Sequence, residues 1–193
     1  SSAASDVYKR QIINGKSGRC SENCKFCAQS AHNHTDADTY PLLSKEEILA
    51  DAKKQAAQGI LRYSIVTAGK ALSDEEIDIM CGTIRQIRQE TTLSVCVSFG
   101  LLTESQFRRL KDAGVSRVHN NLETSERHFP NICTTHTFAD KVSTIQAAQQ
   151  AGLTVCSGGI MGMGETIADR IDMALALRGL GITSVCLLYT SDA

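Results

Sequence analysis

Three cysteines within eight residues are the side chains best placed for chemistry in this sequence. Cys20, Cys24 and Cys27 are separated by three residues and then by two. Thiolates are soft ligands that suit zinc ions and iron–sulfur clusters. A structural zinc site needs a fourth ligand, whereas three thiolates on a four-iron cluster leave one iron open to a substrate or cofactor. The spacing therefore predicts a catalytic iron–sulfur cluster, with a zinc knuckle completed by His32 or His34, or three unrelated cysteines, as alternatives.

The composition is typical of a globular protein with balanced charge. Of the 193 residues 42% are hydrophobic and 21% are charged, and the net charge is −1. Nothing in this balance indicates a surface for nucleic acid or membrane, and neither a membrane span nor a signal peptide is visible. The chain has eight cysteines. In a chain of this length with regular helices and strands, they favour metal-bound thiols in a reducing cytoplasm over disulfides.

Helical and strand patterns alternate along the chain with a repeat of about 30 residues, the size of a βαβ unit. Capping boxes predict helix starts at Ser44, Ser73 and Thr103, because each is followed three residues later by Glu or Gln. Strands joined by such crossovers form a parallel sheet. We therefore predict an α/β fold, a truncated TIM-type (β/α) barrel of about six strands, open rather than closed, although a doubly wound sheet fits the same string. The predicted strands are 12–13, 60–67, 93–99, 115–121, 153–157 and 182–185.

Side-chain alternation within the strands predicts a second group of cysteines inside the barrel. In 93–99 the apolar residues share one face, and Cys96 lies on the opposite face with small polar residues. Cys156 is placed in the same way, and Arg62 and Ser64 share a face of the second strand. We expect these four side chains around one interior. The alternative is that both cysteines are small buried hydrophobes, the commonest role of a free cysteine.

The three-cysteine motif and several other segments resemble the biotin synthase family of radical S-adenosylmethionine (radical SAM) enzymes. The resemblance extends over 12–185, which we interpret as a partial radical SAM barrel domain. Chains of that family are considerably longer, which implies an internal fragment. Residues 1–11 and 186–193 look like translated adapter sequence, so we expect both ends to be non-native. The segments that carry the resemblance are 17–30, 119–125, 132–135 and 155–166.

The resemblance implies a specific radical reaction. In that family S-adenosylmethionine binds the open iron of a [4Fe–4S] cluster and is cleaved to a 5′-deoxyadenosyl radical. The radical abstracts hydrogens from dethiobiotin, and an auxiliary iron–sulfur cluster, [2Fe–2S] or a variant, supplies the sulfur of biotin. The family also implies a reductant such as flavodoxin or ferredoxin and a homodimer. Together with the composition, we expect a cytoplasmic enzyme that binds neither nucleic acid nor membrane.

The metal ligands follow from the resemblance position by position. Cys20, Cys24 and Cys27 match the ligands of the first cluster. Cys96 and Cys156 match two ligands of the auxiliary cluster.

Three further residues match positions that contact the cofactor. Asn121 and Glu123 match polar residues of the S-adenosylmethionine site, and their spacing is expected to put both on one side of an extended strand end. The alternative for this pair is a turn that merely ends the strand. Lys141 lies where the family often has an arginine bound to the cofactor carboxylate. A lysine lacks the bidentate fork of arginine, so a solvated helix lysine is the alternative.

The sequence departs from the family pattern in ways that affect sulfur insertion. Ser64 occupies the position of a third auxiliary cysteine, and the arginine that completes that cluster would lie beyond Val185. The order His119-Asn120-Asn121 also differs from the usual Asn-His-Asn. These changes keep two alternatives open. One is another radical SAM barrel enzyme, methylornithine-synthase-like or hydrogenase-maturation-like, without sulfur insertion. The other is an iron–sulfur or zinc module without turnover.

Several remaining residues are expected to be structural. The glycines of 158–164 lack a full nucleotide fingerprint and are expected to let the backbone lie close to the adenosyl group. Cys133 is expected in a loop without a chemical role. The histidines expected to be loop or surface residues are His32, His34, His128 and His136.

Overall fold

The fold is one curled parallel sheet in which every strand pairs with the next strand along the chain. In the computed structural model, which describes residues 9–189, six strands lie in the order β1-β2-β3-β4-β5-β6. Sequential order with a helical crossover between neighbours is the arrangement of a (β/α) barrel. The predicted open half-barrel is confirmed, and the doubly wound alternative, in which strand order reverses, is wrong. The elements are β1 (Arg10–Lys16), α1 (Lys45–Ala57), β2 (Arg62–Thr67), α2 (Asp74–Glu90), β3 (Ser94–Ser98), α3 (Glu104–Ala113), β4 (Val115–His119), α4 (Phe129–Ile132), α5 (Phe138–Gln150), β5 (Thr154–Met161), α6 (Ile167–Gly179) and β6 (Ser184–Tyr189).

Capping boxes fix where the helices start. The three predicted boxes, at Ser44, Ser73 and Thr103, are all formed, with reciprocal bonds between the cap and the third helical residue. Thr137 and Thr166 form two more. The sequence rule missed these two because the third helical residue is Asp instead of Glu or Gln. Each box satisfies backbone N–H groups that would otherwise lack partners at the helix start.

The hydrophobic core lies between the sheet and the helices. The apolar residues of α2 at helical spacing, Ile77, Met80 and Ile84, are fully buried. Val95 and Val97 of β3 face the same core. Burying a side chain of this size contributes about 1.5–3 kcal/mol. The helix-facing side of the sheet is therefore apolar, and the polar and cysteine side chains occupy the inner side.

The ends of the described chain extend the predicted strands. β1 begins at Arg10 instead of residue 12, and β6 continues to Tyr189. Residues 1–8 and 190–193, most of the segments predicted to be non-native, lie outside the described residues, and that origin stays a prediction. Among the helices within 9–189, none is long and apolar enough to cross a membrane.

Candidate metal and cofactor site

A cavity of about 520 Å³ opens at the carboxyl ends of the strands. Residues 17–44, between β1 and α1, carry the three-cysteine motif over this edge. The ends of β2, β3 and β4 supply the floor. This is the edge at which (β/α) barrels bind their substrates. The predicted residues that line the cavity are Cys20, Cys24, Cys27, Asn121, Glu123 and Lys141.

The cysteine loop is held by its own hydrogen bonds. The backbone N–H of Cys20 donates to the Gln29 carbonyl at 2.8 Å, and the Cys27 N–H donates to the Cys24 carbonyl at 3.2 Å. Asn33 also holds the loop in place. Its side-chain amide nitrogen donates hydrogen bonds to the carbonyl oxygens of Cys24 and Cys27 at 3.0 and 2.8 Å. A loop fixed in this way presents its thiols without the cost of ordering them on binding.

The geometry of the three thiols does not suit a single ion. The sulfurs of Cys20, Cys24 and Cys27 do not all lie within 4.8 Å of one another, as ligands of one metal ion would. Neither His32 nor His34 belongs to a close metal-ligating group within the described chain. The described side chains therefore give no support to a zinc knuckle completed by these histidines, and that alternative stays a hypothesis. Thiols that surround a cavity at wider spacing suit a cluster, in which each sulfur binds a different iron.

The loop after α4 packs directly against the cysteine loop. The side-chain oxygen of Asn23 accepts from the backbone N–H groups of Thr134 and Thr135 at 2.9 and 3.3 Å. The N–H of Lys25 donates to the Ile132 carbonyl at 2.9 Å. These contacts give residues 132–135 a role as the support of the motif.

Four buried side-chain oxygens around this cavity accept no hydrogen bond. Among the described residues with buried polar atoms, only Thr67 Oγ1, Asn120 Oδ1, Asn121 Oδ1 and Glu123 Oε2 lack a partner. All four residues line the same cavity. An unpaired buried acceptor costs about 1–3 kcal/mol. These acceptors suit a ligand that carries several N–H or O–H donors, and the amine and ribose of S-adenosylmethionine are such donors.

Glu123 is held in an unusual conformation against β5. It is the only residue other than glycine with a positive φ, +71°, in the described chain. Its N–H donates to the Gly158 carbonyl at 3.0 Å, and its carbonyl accepts from Ile160 N–H at 2.9 Å. A Cβ on Gly159 would lie 2.4 Å from the Glu123 carbonyl oxygen. The glycines were expected to let the backbone lie close to the adenosyl group. At Gly159 the group that lies close is instead the backbone carbonyl of Glu123.

Asn121 and Glu123 meet at the cavity, although not as the sequence predicted. β4 ends at His119, so both lie beyond the strand, and the expected extended conformation is wrong at Glu123. Burial raises the pKa of the Glu123 carboxyl, while Lys141 and a hydrogen bond from Asn121 oppose that rise. Burial together with the positive charges of Arg10 and Lys141 lowers the pKa of His119 to about 4, which keeps its ring neutral at pH 7. Lys141, on α5, also lines the cavity and is half-buried.

The second predicted group of side chains also meets on the inner side of the sheet. Cys96 is buried beside Ser64, Cys156, Arg117 and Arg62. Burial raises the pKa of the Cys96 thiol, and the Ser64 hydroxyl and the two arginines oppose that rise. The expected common interior is confirmed.

Sequence reasoning missed Arg117 in this second group. Its guanidinium donates to Ser184 Oγ at 2.8 Å, and that hydroxyl lies 3.4 Å from Cys156 Sγ. No such signal was present in the sequence, because simple alternation would place Arg117 on the same face as Val115. A register shift between Val95 and Cys96 pairs Arg117 with Cys96 instead.

Cys133 and His136 lie in the loop after α4, as predicted, but they are buried there and contact the cysteine motif. Both are buried, at 3% and 8% exposure. Cys133 Sγ lies 3.6 Å from Cys24 Sγ, and His136 Nδ1 lies 2.7 Å from a Glu22 carboxylate oxygen. Burial lowers the pKa of His136, with the Glu22 hydrogen bond acting in the opposite direction. Burial also raises the pKa of the Cys24 thiol, and Cys133 adds to that rise, so metal binding is needed to hold Cys24 as a thiolate.

Comparison with known proteins gives a consistent result. The profile of the Radical SAM superfamily matches residues 16–177. Biotin synthases of Akkermansia muciniphila and Brachyspira hyodysenteriae are 59% and 58% identical to this chain over 174 residues. Those matches cover 90% of this chain but 54% and 52% of theirs. The chain therefore spans about half the length of these curated relatives.

Solved structures agree on the architecture. A methylornithine synthase aligns with a TM-score of 0.81 at 19% identity, over 93% of this chain and 52% of its own. A maturase of the [FeFe]-hydrogenase aligns with a TM-score of 0.75 at 18% identity, over 95% of this chain and 44% of its own. At such identities the likeness supports the fold alone.

Proposed function

The chain belongs to the radical SAM superfamily, and from this premise we propose that it is the cluster-binding part of a biotin synthase. The reaction would be the insertion of sulfur into dethiobiotin in the cytoplasm, with electrons from a flavodoxin or ferredoxin. The identity to curated biotin synthases supports the substrate class. The observation that carries the proposal is that the three-cysteine loop and the four unpaired buried oxygens face one cavity.

The three cysteines are the proposed ligands of a [4Fe–4S] cluster. Cys20, Cys24 and Cys27 supply three thiolates and leave one iron for S-adenosylmethionine. When bound, the cluster and S-adenosylmethionine would together supply reductive cleavage of the sulfonium, which yields a 5′-deoxyadenosyl radical. The hydrogen bonds of Asn33 to the loop carbonyls keep the thiols aimed at the cavity.

The polar residues on the cavity floor orient the cofactor. The acceptors Asn121 Oδ1 and Glu123 Oε2 are suited to the amine and hydroxyl donors of S-adenosylmethionine. Lys141 also lines the cavity and provides a positive charge for the cofactor carboxylate. Burial of the floor keeps water away from a reactive carbon radical. A homodimer remains part of the proposal through the family likeness alone.

Cys96 and Cys156 are the proposed ligands of an auxiliary iron–sulfur cluster that donates sulfur. Ser64, Arg117 and Ser184 complete the polar surroundings of this site. Ser64 favours a second candidate function, since a hydroxyl is a poorer iron ligand than a thiolate. A radical SAM barrel enzyme that does not insert sulfur, of the methylornithine-synthase or hydrogenase-maturation type, would need no cluster here.

Anaerobic reconstitution with iron and sulfide tests the proposal. The protein is expressed from its full reading frame, and 5′-deoxyadenosine and biotin are measured together with cluster content. Cys27→Ser should abolish both products. Cys156→Ala should abolish biotin and the second cluster while 5′-deoxyadenosine is still released, and Cys81→Ser, a buried thiol on α2, is the matched control.

The outcomes separate the candidates. Formation of 5′-deoxyadenosine without biotin in the unmodified protein would favour the second candidate. Absence of both products in fully loaded protein would refute the radical reaction.

A further inference from the structure

A second set of metal-ligating side chains lies behind the cysteine loop. Cys24, Cys133 and His136 bring their ligand atoms within 4.8 Å of one another. The two sulfurs are 3.6 Å apart, and Cys133 Sγ is 3.8 Å from His136 Nε2. In a tetrahedral zinc site with typical bond lengths, the sulfur–sulfur edge is about 3.8 Å and the sulfur–nitrogen edge about 3.6 Å. The Cys24–Cys133 and Cys133–His136 separations are therefore close to two edges of a zinc tetrahedron, and the third separation is below 4.8 Å.

The Glu22 carboxylate leaves one ring nitrogen of His136 without a carboxylate partner, and Cys133 Sγ lies 3.4 Å from Nδ1 and 3.8 Å from Nε2. Glu22 holds His136 Nδ1 at 2.7 Å, and both side chains are more than nine-tenths buried. With Nδ1 bound to a carboxylate, Nε2 is the nitrogen left to bind a metal. The ring also packs edge-on against Phe129 at 5.6 Å. A carboxylate behind a ligating histidine is the usual outer-shell arrangement of zinc proteins.

We propose that Cys24, Cys133 and His136 bind Zn²⁺ when the chain carries no iron–sulfur cluster. Cys24, His136 and Glu22 also line the 520 Å³ cavity, so water from that cavity can complete the tetrahedron. Zinc bound there takes Cys24 away from cluster assembly. This competition rests on the proposed function, which assigns Cys24 to the cluster, whereas the zinc binding itself does not.

Metal titration of cluster-free protein tests the site without any activity assay. Protein from the full reading frame is freed of iron with a chelator under argon and titrated with Co²⁺, followed by displacement with Zn²⁺. We expect one equivalent of Co²⁺ with sulfur-to-cobalt charge transfer and tetrahedral d–d bands. Cys133→Ser and His136→Gln should each weaken binding by more than about 100-fold. Glu22→Gln should weaken it by about 10- to 100-fold, as expected for an outer-shell partner.

The choice of controls separates this site from the motif itself. Cys27→Ser removes a thiol of the motif but not of the proposed triad, so Co²⁺ binding should persist. Cys81→Ser should change nothing. Loss of Co²⁺ binding in Cys27→Ser with retention in Cys133→Ser would overturn the proposal. Because Cys133→Ser alters a buried position, thermal unfolding of each variant confirms that it is folded, and His136→Gln provides the independent test.

Cluster assembly gives the second measurement. Iron and sulfide incorporation should slow in the presence of one equivalent of Zn²⁺ and recover in Cys133→Ser, which still carries all three motif thiols. If zinc binds as proposed but incorporation is unaffected, the assignment of Cys24 to the cluster is wrong while the zinc site stands. If zinc does not bind, the site is refuted and the proposed function is untouched.

Discussion

The carboxylate of Glu165 offers a sharp test of how the loop between β5 and α6 is stabilised. It accepts hydrogen bonds from the N–H groups of Gly162 at 2.9 Å and Met163 at 2.7 Å. Arg170 adds a third contact at 2.8 Å. The Glu165 side chain is 2% exposed. Glu165→Gln keeps the shape and removes the charge, so it isolates the contribution of an anion that closes this turn.

The magnitude follows from the pKa of this group. Burial alone would raise it, but the backbone N–H groups of Gly162 and Met163, with Arg170, lower the pKa from 4.5 to about 2. At about 1.36 kcal/mol per pKa unit this corresponds to about 3 kcal/mol. Arg170 is 44% exposed, and solvent screening reduces its share. We therefore expect Glu165→Gln to lower the free energy of unfolding by about 2 kcal/mol at pH 7.

The pH dependence has a definite sign. The pKa of Glu165 is lower in the folded chain than its ordinary value, so the stabilisation is complete above about pH 4.5 and is lost as the pH falls toward about 2. The stability gap between wild type and Glu165→Gln should shrink by more than half between pH 7 and pH 3. Urea unfolding followed by circular dichroism measures the gap, with the exposed Glu126→Gln as control. A gap that stays constant over this range, or is absent at pH 7, would refute the reasoning.

Three other changes probe the cavity and its surroundings. Glu123→Gln should weaken S-adenosylmethionine binding about 10- to 100-fold in equilibrium dialysis, because a charge-assisted hydrogen bond contributes about 1.5–3 kcal/mol. The cluster content should stay unchanged. An affinity equal to that of the wild type would show that Glu123 does not belong to the cofactor site. Gly159→Ala should lower the free energy of unfolding by about 1–3 kcal/mol, since its Cβ would lie 2.4 Å from both the Glu123 carbonyl oxygen and Met173 Sδ. Gly82→Ala, on the helix α2 with open space at its Cβ, should be neutral or stabilising by about 1 kcal/mol, and equal effects of the two would contradict the packing argument. Ser64→Cys adds a third thiol beside Cys96. In a Cys27→Ser background only the auxiliary site can hold iron and sulfide, so the Ser64→Cys change should increase the amount retained. Unchanged iron and sulfide content would mean that residue 64 does not face the auxiliary site.

Much of the fold could be predicted from the sequence because its signals are local. A capping box spans four residues, and the apolar face of α2 recurs at the helical period, so both can be recognised in a short stretch of sequence. The parallel sheet followed from the repeat length and the handedness of crossovers, whereas its strand order, which fitted either a barrel or a doubly wound sheet, was settled by the structure. The shared interior of Cys96 and Cys156 followed from strand alternation. The motif itself needed only the spacing of Cys20, Cys24 and Cys27.

The rest of the site was decided by contacts between distant parts of the chain. Cys133 lies 109 residues from Cys24 along the chain, and His136 lies 114 residues from Glu22, yet each pair is in contact. The left-handed conformation of Glu123 depends on β5, which follows it by more than thirty residues. These segments are loops, which have no periodicity from which a side-chain direction can be inferred. Their positions are fixed only when the helices and strands pack, because buried polar groups must then find their partners across the closed structure.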